Sequence, residues 1–238
     1  MRAMKNKDKK KDYTAGNPAH RRQILNENSN FIVQEAYKSL RTNIRFYVRD
    51  KDCKRFCITS ASAGEGKSIT LLNLAISIAQ GGQKVLLIDA DLRRPAVARL
   101  LVEKAIPGLS DVLSDQATVE ESIRKEIYPK LDVLFSGEIP PNPSELLSSE
   151  AMEKLIEKVS GEYDYVLVDT PPVNVVSDSC IVANLLDGVL LLVWQGRTKK
   201  DAVKQAVNNL ELTGARILGF VLNGVKMEKK REYGYYYY

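Results

Sequence analysis

Ala61-Ser62-Ala63-Gly64-Glu65-Gly66-Lys67-Ser68 is the stretch on which the reading of this chain turns. It follows an apolar run at 55–60 with strand character and opens an amphipathic run at 68–80 with helical character. A glycine-rich loop between a strand and a helix, closing on Lys-Ser, has the Walker A arrangement. Gly64 and Gly66 let backbone N–H groups approach phosphate oxygens, and the helix N-terminus faces the same charge. Lys67 can reach the β- and γ-phosphates, and the Ser68 hydroxyl can ligate Mg²⁺. Ala63, Glu65 and Ile69 complete the candidate ATP-contacting set. The strict pattern wants glycine at position 61, where alanine stands; the Gly-Glu-Gly-Lys-Ser end and both flanking elements are intact.

Two further strand ends carry carboxylates. Val85-Leu86-Leu87-Ile88-Asp89-Ala90-Asp91 ends with two, and Tyr165-Val166-Leu167-Val168-Asp169 with one, before Thr170-Pro171-Pro172. In open α/β sheets ligands sit outside the carboxyl ends of the strands, which puts all three near the phosphates. Mg²⁺ needs only one or two carboxylates beside phosphate oxygens and water. Asp169 is the Walker B candidate and, with Ser68 and Asp89, the expected metal set. Asp89 and Asp91 can contact the metal or polarise a nucleophile; the bland role for a strand-end aspartate is helix capping. Arg93 can stabilise charge on a transferring phosphoryl group or form a surface ion pair. Asn223 can touch the adenine base or simply make a turn before Gly224.

Around these motifs short apolar runs alternate with amphipathic ones. Residues 31–48 read as a helix, with Val33, Tyr37, Leu40, Ile44 and Tyr47 on one face. Strands are expected at 55–60, 84–90, 131–135, 163–169, 188–194 and 216–222. Helices are expected at 68–80, 143–160, 177–186 and 198–212, with short helical pieces over 107–125. Near-continuous Val/Ile/Leu strands alternating with helices predict an α/β fold with a doubly wound, mostly parallel sheet. The organisation reads as a basic arm at 1–30, one nucleotide-binding domain at 31–225 and a tail at 226–238.

The chain has 238 residues and carries +5. Residues 1–22 hold eight Lys/Arg against two Asp, so the body is nearly neutral. A basic arm on a neutral body does not describe a nucleic-acid-binding domain. Such an arm is either a solvated tail or attracted to an anionic membrane surface, at about 1 kcal/mol per basic residue near it. No apolar run approaches the ~20 residues needed to span a bilayer, and no apolar segment follows the charged N-terminus as in a signal peptide. Cys53, Cys57 and Cys180 form no CxxC pair, which suits a reducing cytoplasm.

The tail has a different character. Five of the chain's 11 tyrosines lie in its last six residues: Tyr233, Tyr235, Tyr236, Tyr237 and Tyr238. The segment has no periodic core face and reads as mobile. A tyrosine hydroxyl, with a pKa near 10, needs a base or a metal to act as a nucleophile. A tail of about a dozen residues spans at most roughly 40 Å, enough to enter a neighbouring subunit's site. A partner-binding tail without chemistry is the alternative.

The Walker loop, Leu87-Ile88-Asp89-Ala90-Asp91-Leu92-Arg93-Arg94-Pro95, Val168-Asp169-Thr170-Pro171-Pro172 and the tyrosine tail together resemble the bacterial tyrosine kinases of capsule and exopolysaccharide clusters, in their free-standing cytoplasmic form. The resemblance runs from about residue 30 to the C-terminus. It implies a P-loop fold of the kind shared with partition and septum-site ATPases, and an Mg-ATP-dependent autokinase acting in trans on Tyr233 and Tyr235–Tyr238. It implies a ring-like homo-oligomer, a membrane-embedded activator whose cytoplasmic tail completes the site, and a cognate phosphotyrosine phosphatase. It also implies control of polysaccharide chain length or export at the inner face of the membrane. The family's Glu-x-x-Arg-x-x-Arg oligomerisation motif matches Glu35, Lys38 and Arg41, with lysine for the first arginine. Lysine lacks the planar two-pronged donor. Ala63 stands where relatives often carry proline. The competing reading is a partition- or septum-type switch ATPase without phosphotransfer. Such proteins carry a second lysine where this chain has Ser62, and the membrane type tends to end in an amphipathic helix rather than in tyrosines.

Overall fold

A computed structural model of the chain describes residues 23–47 and 54–225. The basic stretch 1–22, Cys53 and the tail 226–238 lie outside the described residues, and with them the expectations placed there.

The chain runs α1 (Phe31–Tyr47), β1 (Lys54–Ser60), α2 (Lys67–Gln80), β2 (Val85–Asp89), α3 (Val97–Leu101), α4 (Leu109–Leu113), α5 (Val119–Ser122), β3 (Ile123–Tyr128), β4 (Leu131–Leu134), α6 (Pro143–Leu147), α7 (Glu150–Ser160), β5 (Tyr165–Asp169), α8 (Asp178–Ala183), β6 (Gly188–Trp194), α9 (Lys200–Leu212) and β7 (Ile217–Asn223). The seven strands form one sheet in the order β3-β4-β2-β5-β1-β6-β7. Every pairing is parallel except β3 with β4, at the edge. This is the doubly wound α/β arrangement expected from the buried apolar strands.

Strand alternation divides the core into two layers. Phe56, Ile58, Leu87, Val133, Leu167, Leu190 and Leu192 pack with Leu71, Leu72, Leu74 and Ile78 of α2 on one face. Cys57, Leu86, Ile88, Val166, Val168, Val189 and Leu191 pack with Leu155, Ile156, Val182, Ala206 and Leu210 on the other. Ile24 and Leu25, within the stretch read as an arm, are buried in the first layer. Leu25 N–H donates to Asn73 Oδ1 at 2.8 Å, which ties this segment to α2.

Three elements differ from the sequence expectation. Residues 123–128, of which 123–125 fall in the stretch read as helical, form edge strand β3, whose register shifts between Arg124 and Tyr128 and whose Glu126 has φ 51°. The expected helix 143–160 is two: α6 stops at Leu147, and Ser149 caps α7 by accepting from Met152 N–H. A short helix, α3, follows the Arg93-Arg94-Pro95 turn, where no helix was expected.

Candidate functional site

The sheet order alone assembles the site. β2, β5 and β1 are adjacent, and Asp169 is in register with both Asp89 on β2 and Ile58 on β1. The loop after β1 and the carboxylates ending β2 and β5 therefore meet at one edge.

The loop is shaped to receive a ligand. Gly64 and Gly66 have φ of 75° and 88°, a region open to glycine. A Cβ on Gly66 would meet Asn223 Nδ2 at 2.6 Å. α2 starts at Lys67 with no side chain capping its free N–H groups. An uncapped helix start is a ready anion site. Lys67 is itself buried.

The carboxylates show what the protein leaves unfinished. Asp89 and Asp169 are fully buried. Asp89 Oδ2 accepts from Ala96 N–H at 3.2 Å and Val97 N–H at 3.0 Å, so the capping role exists, but Oδ1 has no hydrogen-bond partner. Both Asp169 oxygens lack a partner. Ser68 is close enough to favour the Asp169 anion without meeting good hydrogen-bond geometry. Burial is the main force raising the Asp89 carboxyl well above its ordinary value, with the Asp169 charge next. Burial likewise pushes Asp169 up to about 6, against the pull of Lys67 and Ser68. Buried acceptors without partners cost free energy unless something outside the chain satisfies them. Asp91 Oδ1 accepts from Arg94 N–H at 3.0 Å, which closes the turn after β2.

These orphaned oxygens, beside Lys67 and the bare N–H groups of α2, fit a nucleotide's phosphates with a divalent cation. Among the described residues no cluster of three His, Cys, Asp or Glu side chains closes on a metal position. An Mg²⁺ site drawing one or two carboxylates from the protein, and the rest from phosphate and water, requires none.

Other expected residues are placed differently. Arg93 is engaged with Asp178: Nε donates to Oδ2 at 2.8 Å and Nη2 to Oδ1 at 3.1 Å, and Asp178 is fully buried. The ion-pair alternative is thus what the chain has, with an interior rather than a surface carboxylate. Asn223 Nδ2 donates to Glu65 O at 3.0 Å, bracing the phosphate loop from the end of β7. Ala63 is exposed, and Ile69 packs beneath the loop near Gly66.

Glu35, Lys38 and Arg41 do not join this edge. Glu35 pairs with Lys38 of its own helix at 2.7 Å. Arg41 Nη1 donates to Ser77 O, in the last turn of α2, at the opposite end from Lys67.

Two loop braces went unread in the sequence. Arg197 Nη1 donates to Gly64 O at 3.1 Å and lies over the Trp194 ring at 5.6 Å. Thr198 Oγ1 donates to Glu65 Oε1 at 2.7 Å, while Glu65 Oε2 has no partner. Their one sequence signal was position: both follow the carboxyl end of a strand.

Residues 53–213 match a family model described as an AAA domain. The tyrosine-protein kinase YwqD of Bacillus subtilis is 44% identical over 86% of this chain and 86% of its own length. The crystal structure of the chimerical protein CapA2B2 superposes with a TM-score of 0.81 at 38% identity, over 87% of this chain and 91% of that one. The septum site-determining protein MinD of Pyrococcus horikoshii shares the fold at a TM-score of 0.61 and 22% identity, over 71% of this chain and 70% of that one. Among the described residues no helix is long and apolar enough to cross a membrane. With a P-loop, strand-end carboxylates and kinase relatives matched over nearly their whole length, this chain belongs to the bacterial P-loop tyrosine-protein kinases.

Proposed function

We propose that the chain is an Mg-ATP-dependent autokinase that transfers the γ-phosphate to tyrosines of its own C-terminal cluster, from one copy to another. The observation that carries this reading is the set of buried carboxylate oxygens on Asp89 and Asp169 with no partner in the protein, beside Lys67 and the uncapped start of α2.

Lys67 and the N–H groups of the 63–68 loop hold the phosphates, and Asn223, Arg197 and Thr198 keep that loop in shape. Ser68, Asp89 and Asp169 would hold Mg²⁺ directly or through water. Bound Mg²⁺ neutralises charge on the phosphates. A tail hydroxyl, Tyr233 or one of Tyr235–Tyr238, forms the new bond to the γ-phosphorus as the bond to ADP breaks. Its proton passes to Asp91 or to Asp89, the two carboxylates just past and at the end of β2 at this edge.

The same reading gives the protein a ring-like homo-oligomer contacting through Glu35, Lys38 and Arg41. In the single chain Arg41 is committed to Ser77 O, so the Glu35-Lys38 pair is the part of the motif freest to change partners. It also assigns a membrane-embedded activator, a phosphotyrosine phosphatase, a cytoplasmic place at the membrane face, and a role in capsule or exopolysaccharide production. Family membership supports these assignments.

The test is direct. Purified chain with activator and labelled ATP should label residues 233–238, read by peptide mass spectrometry. Absence of label there sinks the autokinase reading. Mixing full-length Lys67→Met with a tail-deleted active chain should label the Lys67→Met chain; failure removes the step between copies. Nucleotide-dependent dimerisation with ATP hydrolysis and no phosphotyrosine would favour the switch-ATPase reading instead.

A further inference from the structure

We propose that Asp178 and Ser144 are positioning residues for the divalent cation: they clamp the Arg93 guanidinium, and through it the segment that orients Asp89 and Asp91. The proposal rests on the nucleotide reading above and assigns roles within that site.

The clamp is a closed ring of three side chains. Arg93 donates to both Asp178 oxygens, at 2.8 and 3.1 Å, and its Nη2 also donates to Ser144 Oγ at 2.8 Å. Ser144 Oγ in turn donates to Asp178 Oδ1 at 2.7 Å. The Asp178 side chain is fully buried while Arg93 is 38% exposed, so the fold supplies the anion as a fixed point and draws the arginine onto it. A two-pronged arginine–carboxylate pair fixes orientation as well as distance.

The placement of the ring gives it a function. Arg93 follows β2, Ser144 opens α6 beyond β4, and Asp178 opens α8 beyond β5. All three segments leave the carboxyl edge of the sheet, where the metal carboxylates stand. The segment 91–97 is fixed at three points: Asp91 Oδ1 on Arg94 N–H, Asp89 Oδ2 on Ala96 and Val97 N–H, and Arg93 on the clamp. The first two points are made by the functional carboxylates themselves. If the third is released, the polar restraints left on the turn are those made by Asp89 and Asp91 themselves, and both carboxylates follow its motion. Groups that orient metal ligands without touching the metal typically hold about 10–100-fold in metal affinity. Arg93 on this account positions the site and does not touch phosphate.

The experiment uses the full chain with ADP and reads Mn²⁺ binding by electron paramagnetic resonance, so phosphotransfer is not needed. Metal-free ADP binding is followed separately by the fluorescence of Trp194, the single tryptophan, whose ring lies near Gly66. Asp178→Asn should weaken Mn²⁺ binding to the ADP complex by about 10–100-fold and leave metal-free ADP affinity within about twofold. Arg93→Lys, which keeps the charge but cannot span both carboxylate oxygens and Ser144, should do the same. It decides the question alone if Asp178→Asn does not fold by circular dichroism. Unchanged Mn²⁺ affinity in a folded variant overturns the proposal. So does an Arg93→Lys chain that loses metal-free ADP affinity instead, since that is the signature of direct phosphate contact. If the unsubstituted chain takes up no Mn²⁺ with ADP, the nucleotide reading itself fails, and this one with it.

Discussion

The two ends of the sheet treat a buried aspartate in opposite ways. At the amino end, where β4 begins, Asp132 is buried and fully engaged. It accepts from Tyr163 Oη at 2.6 Å and Glu126 N–H at 2.7 Å, and pairs with Lys125 at 3.1 Å. Burial works against its charge, but these donors outweigh it and hold the carboxyl below its ordinary value. At the carboxyl end Asp89 and Asp169 have unused oxygens and are raised. The amino end also has an open cavity of about 600 Å³ lined by Lys84, Lys125, Lys130, Asp132 and Asp164. Incomplete satisfaction of buried charge singles out the carboxyl end, because a fold leaves such groups unpaired where a ligand completes them.

The sharpest way to break this contrast is Asp89→Asn. The amide oxygen can still accept from Ala96 and Val97, and its NH₂ puts a donor where the carboxylate had an orphaned oxygen. Phosphotyrosine formation should fall about 100- to 1,000-fold. Stability should nevertheless rise by about 1 kcal/mol, or about 2–4 °C in Tm, in a thermal scan. A lower Tm would show that the Asp89–Asp169 pair is not a strained one. Asp132→Ala should do the reverse. Urea denaturation should show a loss of about 2–3 kcal/mol, with kinase activity within about twofold once folded. Activity that falls in proportion would mean the two ends are coupled.

Tyr163→Phe sharpens the contrast through pH. It should cost about 1 kcal/mol at neutral pH. The Tyr163 hydroxyl is raised to about 12 from 10.0 by burial first and then by Asp132. A group raised in the folded state stabilises fully below its unfolded value, so the wild-type advantage should be flat up to pH 10 and vanish towards 12. The Asp132 contribution has the opposite sign: present above the unfolded value of 3.8, and lost as pH falls through the lower folded one. Denaturant midpoints across pH for the two proteins check both limbs. The smallest effect belongs to Arg197→Ala, which removes one brace on Gly64 and the contact with Trp194. It should raise the KM for ATP about two- to fivefold with kcat nearly unchanged.

What the sequence made legible was local. The Walker loop, the two strand-end carboxylate groups and the buried parallel strands are each written in one contiguous run, and their meeting at one edge follows from a general rule of open sheets. What it hid was pairing at a distance. Arg93 looks the same whether it faces phosphate or an aspartate 85 positions on, and nothing in its neighbourhood names Asp178. Arg197 and Thr198 are equally anonymous until β6 is placed beside β1. Edge strand β3 escaped because Arg124, Lys125 and Glu126 interrupt its alternation. Those charges and the bulge suit an edge that must not pair further, and they erase the pattern that identifies a strand.

Gly66 and Asn223 carry one last consequence. A side chain at 66 would collide with the Asn223 amide, and that amide holds the Glu65 carbonyl. Neither position is free to drift alone. In a gathered set of homologous chains the two should be retained together or exchanged together, so the last strand's closing residue shares its history with the loop at the other end of the domain's sequence.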